Sequence, residues 1–180
     1  VPPFELLSHR TLWSFIFFFS VLGIKGQVKE FKTAVFSFKG QFPIILLASV
    51  LIAINWFFFI YAIQTNQTTE ASLGYFIMPL VTVVWGLLIF REKLSIFQWF
   101  SVVLASVAVC ILTFGLGVPP WIALILSFSF SIYAVIKKKL KISPIVSVTG
   151  EVFVLVPISL LLLLYFHSGG QGSFGGDWTI

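Results

Sequence analysis

The chain has 180 residues, of which 59% are hydrophobic, 18% are aromatic and only 9% are charged. A water-soluble domain of this length cannot bury so much apolar side chain, because part of any folded surface is wetted. The net charge of +5 would suggest a nucleic-acid ligand in a soluble protein, but here the lysines cluster between apolar runs and indicate membrane topology. The sequence therefore predicts an all-α polytopic membrane protein that binds no nucleic acid.

Six apolar runs are long enough to cross a hydrocarbon core, which requires about 20 helical residues. In chain order the predicted spans are residues 3–24, 42–63, 71–90, 94–114, 115–136 and 145–166. Between the first two spans, Val28, Phe31, Val35 and Phe38 follow a helical spacing with lysines among them. This segment is either a short amphipathic helix on the membrane surface or a solvated loop.

The positive charges alternate from one connection to the next. Of the 11 Lys and Arg residues, all but Arg10 lie in three segments, residues 25–41, 91–93 and 137–141. Cytoplasmic loops of membrane proteins are enriched in Lys and Arg. We therefore expect these three lysine-rich loops in the cytoplasm and both ends of the chain outside. The start at Val1 and the end at Ile180 favour a fragment of a longer protein.

The third span is uncharged from residue 71 to residue 90 and is closed by Glu70 on one side and by Arg91 on the other. Pro79 lies in its middle, where the missing N–H frees a backbone carbonyl and favours a kink. One face of this helix carries Tyr75, Pro79, Thr82 and Gly86. We expect that face to contact protein or a cavity, and the charged ends to report topology.

Two charges lie inside predicted spans. The uncharged runs that follow Arg10 and Glu151 are each too short to cross the membrane, so both helices must begin earlier and carry these charges inward. A charge at such a depth must reach the interface, pair, or face water. Arg10 either extends to the interface or lines a cavity, whereas for Glu151 a cavity-facing position is favoured.

Other polar or aromatic residues inside the spans have two interpretations each. Asn55 either donates a hydrogen bond between helices or contacts a substrate, and Trp56 lies beside it. Tyr75 either faces a ligand or lies at the membrane interface. His9 and His167 belong to different spans, and nothing in their spacing indicates a metal site. The sequence has no catalytic motif of the common hydrolase or metalloenzyme types, so we expect neither an enzyme nor a cofactor.

A boundary is predicted at Gly115, which starts a glycine- and proline-containing stretch. It divides the chain into residues 1–114 and residues 115–180. Pro3 is followed seven residues later by Arg10, and Pro144 is followed at the same distance by Glu151. The first of these helices is predicted to run inward and the second outward. A repeat in opposite orientation is a recurrent plan of secondary transporters.

Several blocks of the sequence resemble the RarD subgroup of the EamA-type drug/metabolite transporters. They are His9-Arg10 with Trp13-Ser14-Phe15, Asn55-Trp56, Glu70–Leu80, Arg91-Glu92-Lys93, Thr113-Phe114-Gly115, Ala123-Leu124, Ser127–Phe130 with Tyr133, and Lys137-Lys138-Lys139. The resemblance covers nearly the whole chain. Within it, the block from Glu70 to Leu80 is the most specific to the subgroup. At the end of the third span, only Glu92 matches the family pattern directly.

The resemblance implies a ten-helix permease of the bacterial inner membrane, built from two inverted five-helix repeats. Residues 1–114 would be the first repeat without its first helix, and residues 115–180 the start of the second. Such a protein would move small organic solutes, in this subgroup chloramphenicol-related, by alternating access around a central cavity. The residues that we expect to line the cavity are Arg10, Asn55, Trp56, Tyr75, Pro79 and Glu151. A membrane scaffold or assembly subunit without transport is the alternative, and a homodimer is left open.

Overall fold

The computed structural model describes residues 1–36, 41–117 and 120–168. These residues form seven α-helices and no strand. The helices are α1 (Pro3–Ile24), α2 (Val28–Phe36), α3 (Phe42–Gln64), α4 (Thr68–Ile89), α5 (Ile96–Leu116), α6 (Trp121–Lys139) and α7 (Pro144–Ser168). Six of them, all except α2, are long and apolar enough to cross a membrane. The predicted all-α polytopic membrane fold is confirmed.

Nine of the twelve predicted span ends lie within two residues of the helix ends, and both ends of α1 are the same. The largest difference is at α6, which begins at Trp121 instead of residue 115. Gly117 adopts a left-handed conformation (φ 65°) and donates its N–H to the Phe114 carbonyl, which ends α5. The next helix starts only after Pro120, whose carbonyl accepts the N–H of Leu124. A glycine C-cap followed by proline separates two helices in this way.

The short connection between α4 and α5 has defined geometry at both ends. Arg91 has a positive φ of 51°, and the Glu92 N–H returns to the Gly86 carbonyl at 3.2 Å. This bond reaches one residue farther back than the bond of a Schellman motif, and Arg91 occupies the left-handed position that usually holds glycine. Ser95 then caps α5: its hydroxyl accepts the Gln98 N–H while the Gln98 side chain accepts the Ser95 N–H.

The described residues divide into two compact units. Unit one comprises Val1–Ala53 and Lys139–Ile180, and its helices are held together by apolar packing. The rings of Phe15 and Phe153 are 5.8 Å apart, and Phe31 lies 5.7 Å from Phe153. The buried cluster of this unit contains Leu22, Phe31, Ala34, Val35, Ile45 and Val146. Three of these residues belong to α2, so the segment is a helix and not a loop, and its apolar side packs into this cluster. Phe38 lies outside the described residues.

Unit two comprises Ile54–Lys138. Its buried apolar cluster joins α3, α4 and α6 through Ala62, Ala71, Ile122 and Leu126. The backbones of α4 and α6 approach closely at Gly74: a Cβ on this residue would lie 3.1 Å from the Ala123 carbonyl oxygen. A side chain at this position would force α6 to shift by a few tenths of an ångström, and small residues are usual where membrane helices pack this closely.

Candidate functional site

Three carboxylates of the described residues are buried. Glu5 has 0% of its surface exposed, Glu151 has 2% and Glu70 has 6%. Isolated charges in a membrane are costly, so a buried acid in a spanning helix is a functional candidate. For Glu70 the expectation was a topological role at the end of its span. Its side chain is buried instead, and its Oε2 atom has no hydrogen-bond partner.

Glu151 lies two turns into α7, where the sequence predicted that it would enter the membrane. The hydroxyl of Ser147, one turn earlier, donates to its Oε1 at 2.7 Å, and Ser147 is 1% exposed. The adjacent Gly150 faces the methyl groups of Ile45 and Val35, with 3.3 and 3.4 Å left for a Cβ. The carboxylate is therefore held between a hydroxyl on its own helix and tightly packed helices of unit one.

Arg10 is exposed on α1, also in unit one. Its neighbour His9 meets His167 of α7, with ring centroids 6.4 Å apart. The sequence assigned these histidines to different spans and gave no reason to expect a contact. Among the described residues, no group of three His, Cys, Asp or Glu side chains could hold a metal ion.

Asn55 is 4% exposed and bonds to α6 within unit two. Its side-chain amide donates to the Leu126 carbonyl at 2.9 Å and to the Ser129 hydroxyl at 3.1 Å. This is the arrangement that the helix-packing interpretation requires. Both bonds use the N–H groups of the amide, so a substrate bound through that nitrogen would compete with them, whereas one bound to the side-chain carbonyl oxygen would not.

The other predicted cavity residues of unit two are more accessible than Asn55. Tyr75 is 50% exposed, and its ring lies 5.9 Å from that of Phe59 on α3. Pro79 is exposed, whereas Trp56 is half-buried. The helix α4 continues through Pro79 without interruption. Tyr75 and Pro79 thus form the more exposed, N-terminal part of the predicted α4 face, while Asn55 is engaged with α6.

The C-terminal part of that face, from Thr82 onward, contacts α6. The Thr82 hydroxyl donates to the Met78 carbonyl at 2.8 Å, and its oxygen lies 3.3 Å from the Ser131 oxygen. Below these groups, toward the C-terminal ends of both helices, is a cavity of about 240 Å³. Its walls are formed by Thr82, Gly86, Phe90, Glu92, Ala134, Val135 and Lys138.

An ion pair lies at the mouth of this cavity. The Lys138 ammonium is 2.9 Å from Glu92 Oε1 and 4.0 Å from the centre of the Phe90 ring. Both charged side chains are more than half exposed. The predicted face of Thr82 and Gly86 therefore does border a cavity, with a charged pair at its end.

Sequence reasoning missed Glu5, Ser147 and the partner of Glu92. The positions of Glu5 and Ser147 in the sequence could have indicated them. A span that begins at Pro3 places Glu5 in its first turn, and Ser147 precedes Glu151 by the four residues that align side chains on a helix. Nothing local predicts the pairing of Glu92 with Lys138, because 46 residues separate them.

The comparisons with known proteins agree with this membrane architecture. The model of the EamA-like transporter family matches residues 1–114, well over half of the chain. The chain belongs to the EamA-like transporter family. This EamA-like chain is 39% identical to the uncharacterized transporter YojE of Bacillus subtilis, over 100% of the chain and 62% of that protein. It is 37% identical to Protein RarD of Streptomyces exfoliatus, over 94% of the chain and 54% of that protein.

Protein RarD of Escherichia coli is 36% identical to the EamA-like chain, over 97% of the chain and 59% of that protein. The predicted resemblance to RarD proteins is thereby confirmed. The chain spans less than two thirds of the length of these relatives. No solved structure matches it.

Proposed function

We propose that the protein containing this chain is a permease that moves small organic solutes across the bacterial inner membrane by alternating access. Membership of a transporter family and six helices of spanning length support this proposal. A link to chloramphenicol-related solutes belongs to the same proposal, by similarity to proteins of the RarD group. The solute-facing residues would be Arg10, Asn55, Trp56, Tyr75, Pro79 and Glu151.

The observation that carries the proposal is the burial of Glu151 in a spanning helix. An acid at this depth costs several kcal/mol unless it is paired, hydrogen-bonded or facing a water-filled path. Glu151 is 2% exposed and accepts the Ser147 hydroxyl, so a carboxylate lies inside this spanning helix. A buried acid that accepts a hydrogen bond from Ser147 suits a site that binds a solute or an ion.

The division into inverted repeats is also proposed, with residues 1–114 in the first repeat and residues 115–180 in the second. The end of the family match at residue 114 supports this boundary. In unit one, early His9 meets late His167 while the later Phe15 meets the earlier Phe153, so α1 and α7 run antiparallel. Opposite directions are what inverted repeats require of corresponding helices. The lysine-rich loops 25–41, 91–93 and 137–141 would then lie in the cytoplasm.

Solute flux into proteoliposomes tests the proposal. The full-length protein is reconstituted and offered a panel of labelled small organic solutes, including phenicols. We expect flux of at least one solute, and Glu151→Gln should lower it by about tenfold or more, a loss of about 1.4 kcal/mol in transition-state stabilisation. Glu30→Gln, the same substitution in α2, serves as the matched control and should retain flux.

Thermal unfolding of each variant in detergent separates loss of function from loss of fold. An unchanged flux in a folded Glu151→Gln variant would remove Glu151 from the site. If no solute were transported and the protein co-purified with one fixed partner, the non-transporting scaffold would be the better function.

A further inference from the structure

The mouth of the α4–α6 cavity has a more specific construction than two exposed charges require. The C-terminal motif of α4 turns the chain back at Arg91, which brings the Glu92 carboxylate over Gly86. A Cβ on Gly86 would lie only 3.0 Å from Glu92 Oε2. The carboxylate therefore packs against the Gly86 backbone, and a methyl group there would push the end of this flexible side chain aside by a few tenths of an ångström.

The opposite side of the mouth is formed by α6. Lys138 reaches from its last turn to Glu92 at 2.9 Å, and its ammonium lies over the Phe90 ring at 4.0 Å. The cation thus contacts both a carboxylate and an aromatic face in the segment that directly follows α4. Thr82 and Ala134 line the cavity behind the pair.

We propose that the Glu92–Lys138 pair is a gate that closes the cavity between α4 and α6 at the lysine-rich end of these helices. Breaking the pair opens the cavity to water at that end. That the gate acts during transport rests on the function proposed above. That the gate exists does not.

The exposure of the pair suits a gate. The Lys138 and Glu92 side chains are 58% and 53% exposed, and pairs of this kind contribute little net stability. Water can therefore replace either partner at small cost. The populations of the open and closed states then differ by only a small factor. A buried pair would instead lock α4 to α6.

Thiol labelling at the cavity wall tests the gate without any transport measurement. Ala134→Cys is introduced into the full-length protein in which the native Cys110 is replaced by Ala. The second-order rate of labelling by a small uncharged maleimide is measured in detergent. We expect Glu92→Gln and Lys138→Gln each to raise this rate by about two- to fivefold, the range set by exposed ion pairs. Lys93→Gln, an exposed lysine beside the pair, should leave the rate unchanged.

The two substitutions change the local charge in opposite directions. A purely electrostatic effect on the thiol would therefore raise the rate in one variant and lower it in the other, whereas opening raises both. In the double variant the effects should not multiply, because either substitution alone already removes the pair. Unchanged rates, changes of opposite sign or multiplying effects would each overturn the gate, whatever the flux assay shows.

Discussion

The two units of the chain differ in where polar bonds join their helices. In unit one the Phe153 ring packs beside those of Phe15, Phe31 and Phe36, and Ser143 donates to Glu30 and Gln27 where α7 and α2 begin. In unit two, polar groups bridge the helices: Asn55 donates to α6 at 2.9 Å. Lipid tails are as apolar as leucine, so membrane helices associate through close packing and through hydrogen bonds. Both means occur in each unit: unit two has a polar bond between the middles of two helices, and unit one has polar bonds near the starts of α2 and α7.

This difference helps to separate structural from functional polar groups. In unit two, the amide of Asn55 is used in helix packing. In unit one, Ser147 and Glu151 bond to each other within α7, and apolar rings provide contacts between helices. A carboxylate buried in a spanning helix costs more than a neutral amide that is hydrogen-bonded between two helices, so the carboxylate is the stronger candidate for a functional site. This favours Glu151 over Asn55 as the residue that acts on a solute.

The largest expected effect is the loss of a ring from unit one. Phe153→Ala should lower the free energy of unfolding by about 2 kcal/mol, below the values of roughly 3–5 kcal/mol for fully buried Phe, because Phe153 is only half-buried. Reversible unfolding in mixed micelles measures it. Phe17→Ala is the matched control, since Phe17 is 62% exposed. Equal losses in both variants would contradict a packing role for Phe153.

A smaller loss is expected from the glycine contact in unit two. Gly74→Ala places a methyl group 3.1 Å from the Ala123 carbonyl oxygen, and a backbone atom cannot move aside easily. We expect a loss of about 1.5 kcal/mol in the same unfolding assay. Gly23→Ala is the control, because no atom lies within 4 Å of its added Cβ, and it should be neutral or stabilising.

The comparison with unit one sharpens this prediction. At Gly150 an added methyl would meet only side-chain methyl groups of Ile45 and Val35, at 3.3 and 3.4 Å. Such groups can shift by a few tenths of an ångström, so Gly150→Ala should cost less than Gly74→Ala. The reverse order would mean that unit one, and not unit two, depends on the closer helix approach.

Local pattern was sufficient to predict the helices and part of the candidate site. Hydrophobic run length predicted all six long helices, and the same length requirement placed Glu151 inside the membrane. The end of α5 could have been predicted from Gly117, because a left-handed C-cap favours glycine. The predicted fifth span instead began at residue 115, before Gly117, and was therefore too long at its start.

Contacts between distant parts of the chain could not be predicted in this way. Asn55 lies 71 residues from Leu126, and hydropathy carries no information on which helices are neighbours. The burial of Glu70 was missed for the same reason, since a charge at the end of a span is equally consistent with an exposed or a covered position. Burial of an end residue depends on the helices that pack beside it.

The smallest of these effects is expected at Asn55. Asn55→Leu removes its bonds to the Leu126 carbonyl and the Ser129 hydroxyl. Hydrogen bonds between membrane helices contribute modestly, because the unfolded chain in the membrane also finds partners. We expect a loss of about 1 kcal/mol in the unfolding assay. Ser129→Ala, which removes one of the two acceptors, should cost about half as much.

Flux measurements on the same two variants decide between the two interpretations of Asn55. If Asn55 only joins α3 to α6, its substitution should change flux no more than Ser129→Ala does, once both are compared at equal folded amounts. If Asn55 contacts solute, Asn55→Leu should lower flux by about tenfold while Ser129→Ala leaves it intact. The second result would mean that a bond holding helices together is exchanged for a bond to solute during transport. The polar contacts of unit two would then be functional as well as structural, and the separation drawn between the two units would fail at this residue.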